Sequence, residues 1–158
     1  MKISFKKGLS FGLTSGVVTT LGLIIGLAST TDSKSIIVAG LLTIAIADSL
    51  SDAMGIHISE ESSGEKTSKE VWEATFATLF GKIVFTSSFI LPFIFFDITP
   101  AIIISLLWGF LLIIFISLLI AKKQNLQPFK VIWEHLAILV LVIILTHFVG
   151  DVISLIFN

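Results

Sequence analysis

Residues 98–121 read ITPAIIISLLWGFLLIIFISLLIA and contain no charged side chain. The hydrocarbon core of a bilayer is about 30 Å thick, and a helix of roughly 20 apolar residues crosses it. This stretch therefore predicts a transmembrane helix. Four other stretches are nearly as apolar, so the sequence predicts five spans: Gly8–Ser29, Ser35–Ile58, Ala74–Phe96, Ile98–Ala121 and Val131–Phe157.

The composition of the whole chain agrees with a membrane-embedded protein. Of its 158 residues, 55% are hydrophobic and 13% are charged, and the mean hydropathy is +1.07. A soluble domain carries about 25% charged residues. The predicted fold is therefore all-α, a single five-helix membrane domain over residues 1–158 with the lipid bilayer around it. Its charged linker, Ser59–Lys69, is too short to hold another domain.

Several classes of function are disfavoured by what the sequence lacks. The net charge is −1 and arginine is absent, so there is no basic footprint for nucleic acid. The absence of cysteine excludes disulfides, thiolate metal sites and thiol catalysis. We find no phosphate-binding glycine-rich loop, and no serine, histidine and carboxylate at matching depth for a catalytic triad. We therefore expect no enzymatic activity, no bound cofactor and no nucleic-acid partner.

The distribution of lysines predicts the orientation of the spans. Eight fall on one side of a five-span bundle: Lys2, Lys6, Lys7, Lys66, Lys69, Lys122, Lys123 and Lys130. Only Lys34 falls on the other side, and Lys82 lies inside the third span. Because cytoplasmic loops are enriched in lysine, we expect a cytoplasmic N-terminus and an external C-terminus.

The sequence contains no targeting motif, so the expected location is the plasma membrane of a prokaryote rather than an endomembrane. The alternative for the first span is a cleaved signal peptide. Its apolar stretch is long for a signal, and its removal would leave a polar face of the remaining bundle without a partner.

The first span carries a stripe of small residues along one face: Gly8, Gly12, Ser15, Thr19, Gly22, Gly26 and Ser29. One interpretation is close helix packing, for which a Gly-x-x-x-Gly spacing is typical. The other is the wall of an ion path, in which the hydroxyls of Ser15 and Thr19 offer oxygen atoms. Both interpretations remain open at this point.

The second span carries the strongest functional signal. Asp48 and Asp52 are four residues apart, so both carboxylates lie on one helix face. A charge inside a span costs a few kcal/mol, which indicates a purpose for the pair. Paired carboxylates suit a hard or borderline divalent cation such as Mn²⁺ or Fe²⁺, and they also suit proton carriage. The alternative is a buried ion pair with Lys82, unless that lysine snorkels to the cytoplasmic surface.

Other charged and kinking residues give weaker signals. Glu60 and Glu61 follow the acidic pair and are expected either to attract cations to an entrance or to be solvated loop charges. His147 and Asp151 are expected either to pass a proton or cation near the outer end, or to share a surface hydrogen bond. Pro92 is expected to kink the third span.

Two motifs resemble a known family. Gly12–Gly26, GLTSGVVTTLGLIIG, looks like the first-helix signature of the vacuolar iron transporters, and Ala47–Gly55, ADSLSDAMG, is similar to their second-helix pattern. The resemblance extends over nearly the whole chain. It implies a homodimer of five-helix subunits, formed through helices 1 and 2, that moves Fe²⁺ or Mn²⁺ out of the cytosol, in some cases against protons. The implied path is lined by helices 1 and 2 of both subunits.

The chain departs from that family pattern at three places. The family's acidic residue in helix 1 falls on Ser15, and its methionine in helix 2 falls on Asp52. The second change replaces a soft ligand by a hard one, which favours Mn²⁺ over Fe²⁺. The linker Ser59–Lys69 is also too short for the glutamate-rich metal-binding domain that many members carry.

The main hypothesis is therefore a homodimeric exporter of divalent metal ions. Asp48 and Asp52 of both subunits are the predicted central ligands. Further metal contacts are predicted for Ser15, Thr19, Glu60 and Glu61. The alternative is a relative that no longer transports and acts as a structural or regulatory membrane subunit, which predicts Lys82 within ion-pair distance of Asp48 or Asp52.

Overall fold

The computed structural model describes residues 3–157, so Lys2 lies outside the described residues. These residues form helices joined by short connections, with no strand among them. The helices are α1 (Ile3–Ala28), α2 (Lys34–Ser62), α3 (Ser68–Ser88), α4 (Ile90–Phe95), α5 (Ile98–Gln124) and α6 (Pro128–Phe157). Counting α3 and α4 as one span, five helices are long and apolar enough to cross a membrane, as the sequence predicts.

The first half of the small-residue stripe packs α1 against α3. A Cβ atom added at Gly8 would overlap the carbonyl oxygen of Ala74, and one at Gly12 would lie 2.5 Å from the carbonyl oxygen of Thr78. The two backbones are therefore so close that only glycine fits at these positions. The Thr78 hydroxyl donates to the Gly8 carbonyl oxygen at 3.0 Å across the same contact.

The second half of the stripe packs α1 against α6. A Cβ atom added at Gly150 would lie 2.6 Å from the carbonyl oxygen of Gly26, and one at Gly22 would lie 3.0 Å from a methyl group of Val142. Helix α1 also contacts α2 and α5, which makes it the central helix of the bundle. The packing interpretation of the stripe therefore describes most of its residues.

The third span is interrupted where the proline predicts a kink. Pro92 has no N–H group to donate to the carbonyl of Ser88, and α3 ends at Ser88. Phe89 separates α3 from α4. The Ser88 hydroxyl accepts a hydrogen bond from the indole N–H of Trp108 on α5 at 3.0 Å, which holds the interruption against the next span.

The connection between α2 and α3 is shorter than the predicted linker Ser59–Lys69. Helix α2 continues through Ser62, and α3 begins at Ser68 behind a capping box formed by Thr67 and Glu70. The predicted bounds are wrong because charged residues, which are typical of a loop, here extend the two helices beyond the apolar region. This difference matters because it makes Glu60 a helical residue.

Large apolar side chains cover much of the outer surface. Examples on α5 are Leu107, Leu111 and Phe115, each about 60% exposed. In a membrane protein such side chains face lipid, so the bilayer covers them and no further domain is needed to bury them. The buried core lies between α1, α2 and α5 and includes Leu21, Leu41 and Ile113.

Candidate cation site

Two carboxylates from α2 and one ammonium from α3 meet inside the bundle. The Lys82 Nζ atom lies 2.5 Å from Asp48 Oδ2 and 2.5 Å from Asp52 Oδ2. The lysine side chain is fully buried, whereas the aspartate side chains are 32% exposed for Asp48 and 20% for Asp52. Of the two alternatives for Lys82, the buried ion pair therefore describes the geometry, and snorkelling to the surface does not.

Ser15 brings α1 into the same cluster. Its hydroxyl donates to Asp52 Oδ2 at 2.6 Å and accepts from Lys82 Nζ at 2.9 Å. Asp52 therefore receives hydrogen bonds from two donors, because Lys82 also donates to it. Asp48 Oδ2 contacts the ammonium but receives no hydrogen bond from Ser15. We call these four residues, Ser15, Asp48, Asp52 and Lys82, the acid–lysine cluster.

The formal charges in the acid–lysine cluster do not balance. Two carboxylates each contribute −1 and one ammonium contributes +1, which leaves −1. Burying an ammonium is costly, and close carboxylates with an additional hydrogen bond offset that cost. A single carboxylate would neutralise Lys82, so one of the two acids exceeds what the lysine requires.

The close contact of α1 and α3 positions the lysine. A Cβ atom added at Gly16 would lie 3.3 Å from Cγ of Lys82, so the lysine stem uses the space that this glycine leaves free. Thr78 and Thr86 lie one helical turn before and after Lys82 and are also fully buried. This buried face of α3 is therefore polar, and it fits against the small residues of α1.

Asp48 borders an open groove on the surface of the bundle. The groove has a volume of about 760 Å³ and lies between α1, α2 and α6. Its polar lining includes Thr19, Thr30 and Thr146, and Gly22 and Gly26 form part of its α1 wall. The Thr19 hydroxyl donates to the carbonyl oxygen of Ser15 at 2.9 Å, so Thr19 borders the groove without contacting a carboxylate of the cluster.

The predicted entrance residues do not lie together in solvent. Glu60 is only 2% exposed and forms an ion pair with Lys7, which ties the end of α2 to the start of α1. Glu61 is exposed and borders a small surface pocket with His57 and Lys66. Glu60 is eight residues beyond Asp52, about 12 Å along a straight helix, so it is separate from the acid–lysine cluster.

A second polar group, which sequence reasoning found only in part, joins α1 to α6. The Ser29 hydroxyl lies 2.5 Å from His147 Nδ1, and His147 Nε2 lies 3.6 Å from Asp151 Oδ2. His147 and Asp151, the pair expected from the sequence, therefore lie close together, and Ser29 joins them from α1. The Ser29 hydroxyl also donates to the carbonyl oxygen of Ile25 at 3.0 Å, so its oxygen can accept a hydrogen bond from His147 Nδ1 when that nitrogen carries a proton.

Among residues 3–157, no group of three or more histidine, aspartate and glutamate side chains is arranged to hold a metal ion. Within one subunit, Asp48 and Asp52 are therefore the two carboxylate side chains that could contact a metal ion at the cluster. No protein-family model matches the chain, and no curated protein matches it. The chemistry of the acid–lysine cluster is therefore the main indication of what the protein does.

Proposed function

We propose that the protein is a membrane carrier for a divalent metal cation, Mn²⁺ or Fe²⁺, and exports it from the cytoplasm. The observation that carries this proposal is the excess carboxylate of the acid–lysine cluster, since Asp48 is one-third exposed at an open groove. An uncompensated charge within a span costs a few kcal/mol. A cation arriving through the groove would remove that cost.

Two subunits together would match the charge of a divalent ion. Each acid–lysine cluster carries a formal charge of −1, so two clusters carry −2. A dimer would also double the carboxylate ligands beyond the two that one subunit offers. We therefore place the cation between two copies, with Asp48 and Asp52 as the main ligands and the oxygens of Ser15 and Thr19 nearby.

Helix α2 is the better candidate for the dimer interface, because α1 already contacts four other helices. The exposed face of α2 carries small residues at every fourth position: Ala39, Thr43, Ala47, Ser51 and Gly55. Small residues at this spacing allow two helices to approach closely in a membrane. The resemblance to the vacuolar iron transporters implies the same type of assembly.

Proton exchange would follow from the ligand chemistry. Carboxylates must be deprotonated to bind a metal ion, so loading releases any proton that they hold. The ligands are oxygen atoms only, and Met54 is exposed outside the cluster, which favours Mn²⁺ over softer ions. The lysine distribution supports a cytoplasmic N-terminus, and the plasma membrane of a prokaryote remains the proposed location.

Uptake of Mn²⁺ and Fe²⁺ into proteoliposomes tests the proposal. We expect Asp48→Asn to reduce the uptake rate at least tenfold, because an amide cannot supply the negative charge. Asp97→Asn is the matched control, since Asp97 is exposed before α5 and its side chain does not cap that helix. Equal uptake by Asp48→Asn and the unaltered protein would exclude Asp48 as a ligand.

The second candidate function is a structural or regulatory membrane subunit without transport. The contact of Lys82 with both carboxylates favours it, because the ammonium already occupies the position of a cation. Thermal unfolding separates the two functions. A ligand at one hundred times its dissociation constant stabilises a protein by about 2.7 kcal/mol, so a carrier melts higher with saturating Mn²⁺. Unchanged melting with Mn²⁺, Fe²⁺ and Co²⁺ would favour the structural subunit.

A further inference from the structure

We propose that Lys82 is a tethered cation that competes with the transported ion for Asp48 and Asp52. Its ammonium would hold the two carboxylates while the carrier is empty and would withdraw when a divalent cation binds. Lys82 would then set the affinity of the site without being a metal ligand. This inference depends on the proposed transport function and adds a regulating residue to it.

The position of the ammonium supports direct competition. Lys82 Nζ lies 2.5 Å from one oxygen of each carboxylate, which is the point where a cation bridging both aspartates would bind. Oxygen ligands of Ca²⁺ and Mg²⁺ lie at about 2.0–2.6 Å, so the ammonium and a bridging ion need the same space. A metal ion therefore cannot contact both Asp48 Oδ2 and Asp52 Oδ2 until the Lys82 ammonium moves away.

The charge of one cluster supports the same conclusion. If one cluster held a divalent ion beside Lys82, the formal charge of the cluster would change from −1 to +1. The cluster would then carry one excess positive charge in place of one excess negative charge. Moving the ammonium away from the ion weakens the repulsion between these two positive charges, while both carboxylates stay in contact with the ion. Two clusters in a dimer still carry −2 in total, which matches one divalent ion.

The two aspartates are held unequally, which indicates the order of events. Both aspartates contact the ammonium at 2.5 Å, but only Asp52 also receives a hydrogen bond from Ser15, and the Asp48 side chain is the more exposed. Asp48 also borders the groove. An entering cation would therefore contact Asp48 first and then displace the ammonium from Asp52.

The surroundings of Lys82 contain other acceptors for the withdrawn ammonium. Thr78 and Thr86 flank it on α3, and Thr20 on α1 donates to the Thr86 hydroxyl at 3.3 Å. Hydroxyl oxygens accept hydrogen bonds from an ammonium group. The four-carbon stem of lysine is flexible, so the ammonium can change its position without movement of the backbone. The polar face between α1 and α3 therefore offers hydrogen bonds in place of the carboxylates.

A Mn²⁺ titration of thermal unfolding on the detergent-purified chain tests the competition. We expect Lys82→Met to melt below the unaltered protein without metal, because two partly buried carboxylates then lack their counter-ion. Mn²⁺ should restore its melting temperature, with a half-maximal concentration at least tenfold lower than for the unaltered protein. Lys69→Met is the matched control, since Lys69 is exposed at the start of α3 and should not change the titration.

Two further variants make each outcome decisive. In Lys82→Met combined with Asp48→Asn and Asp52→Asn, the response to Mn²⁺ should disappear. Lys82→Arg keeps the charge and can bind both carboxylates with a planar fork, so it should raise the half-maximal Mn²⁺ concentration. This variant also tests the proposal if Lys82→Met does not fold.

The failures of the two proposals are distinguishable. An Asp48-dependent Mn²⁺ response in the unaltered protein, with no lower half-maximal concentration in Lys82→Met and no higher one in Lys82→Arg, would overturn the competition and keep the transport function. No Mn²⁺ response in the unaltered protein or in any Lys82 variant would overturn both.

Discussion

At the scale of single residues, the buried Lys82 is the feature that organises the candidate site. It is a lysine without solvent exposure inside a span, and it is held by Asp48, Asp52 and Ser15 on two other helices. Ser15 stands where the family resemblance implies an acid. Its hydroxyl both donates and accepts in the cluster, which a carboxylate cannot do when ionised, so serine suits a site that already holds two acids.

Replacing Ser15 by alanine tests this assignment. Ser15→Ala removes one of the two donors to Asp52, and leaving a buried polar group short of a partner costs about 1–3 kcal/mol. We expect a loss of unfolding free energy in that range, measured by denaturant or thermal unfolding in detergent. Ser10→Ala, on the same helix, is the control and should change stability little. Equal stability of the two variants would contradict the role of Ser15.

At the scale of elements, the approach of α1 to α3 decides where Lys82 lies. Glycines on α1 place its backbone against the backbone of α3, and the lysine stem fits beside Gly16. The interruption at Phe89 then redirects the end of the third span, as Pro92 requires. The Lys7–Glu60 ion pair ties α1 to α2 near the other end.

Two glycine substitutions separate helix packing from helix propensity. Gly12→Ala places a Cβ atom 2.5 Å from the Thr78 carbonyl oxygen, and overpacking of this kind costs about 1–3 kcal/mol. Gly55→Ala meets nothing within 4 Å, and alanine is favoured over glycine in a helix by about 1 kcal/mol. Because Gly55 also belongs to the proposed α2 dimer face, the comparison is made on the monomer in detergent. Thermal unfolding should there show Gly12→Ala less stable and Gly55→Ala at least as stable as the unaltered chain. The reverse order would contradict the α1–α3 contact.

At the scale of the whole molecule, α1 contacts four other helices, whereas α2 keeps an exposed face of small residues. The proposed dimer therefore uses the exposed small-residue face of α2. The acid–lysine cluster lies beside this face, so two copies packed through α2 would bring two clusters towards a common axis. Assembly and transport are consequently linked in the proposal.

Self-association of two alanine variants tests the α2 interface. Ala47→Leu adds a large side chain to the proposed contact face and should weaken dimerisation in bilayers at least tenfold. Ala137→Leu makes the same change at an exposed position of α6 and should leave dimerisation unchanged. Single-molecule photobleaching in liposomes measures the fraction of dimer for each variant. Equal effects of the two substitutions would exclude α2 as the specific interface.

The orientation of the molecule has a direct test, because the chain contains no cysteine. Glu65→Cys labels the α2–α3 connection, and Asp32→Cys labels the α1–α2 connection. With the N-terminus in the cytoplasm, a membrane-impermeant maleimide should react with Asp32→Cys in intact cells and with Glu65→Cys only after permeabilisation. The opposite pattern would reverse the proposed direction of export.

The sequence alone was sufficient to predict the five spans and the shared face of Asp48 and Asp52. The thickness of a bilayer sets the length of an apolar helix, and the helical period sets which residues align along it. These are local properties, so they can be derived from the order of residues within one segment.

Only the tertiary structure decided which partners the charged residues find. Whether Lys82 snorkels or binds the aspartates depends on how closely α1, α2 and α3 pack, and the same is true of Glu60 with Lys7 and of Ser29 with His147. Each of these contacts joins residues that lie far apart along the chain. Their geometry depends on the rotation and spacing of neighbouring helices, which no single segment specifies.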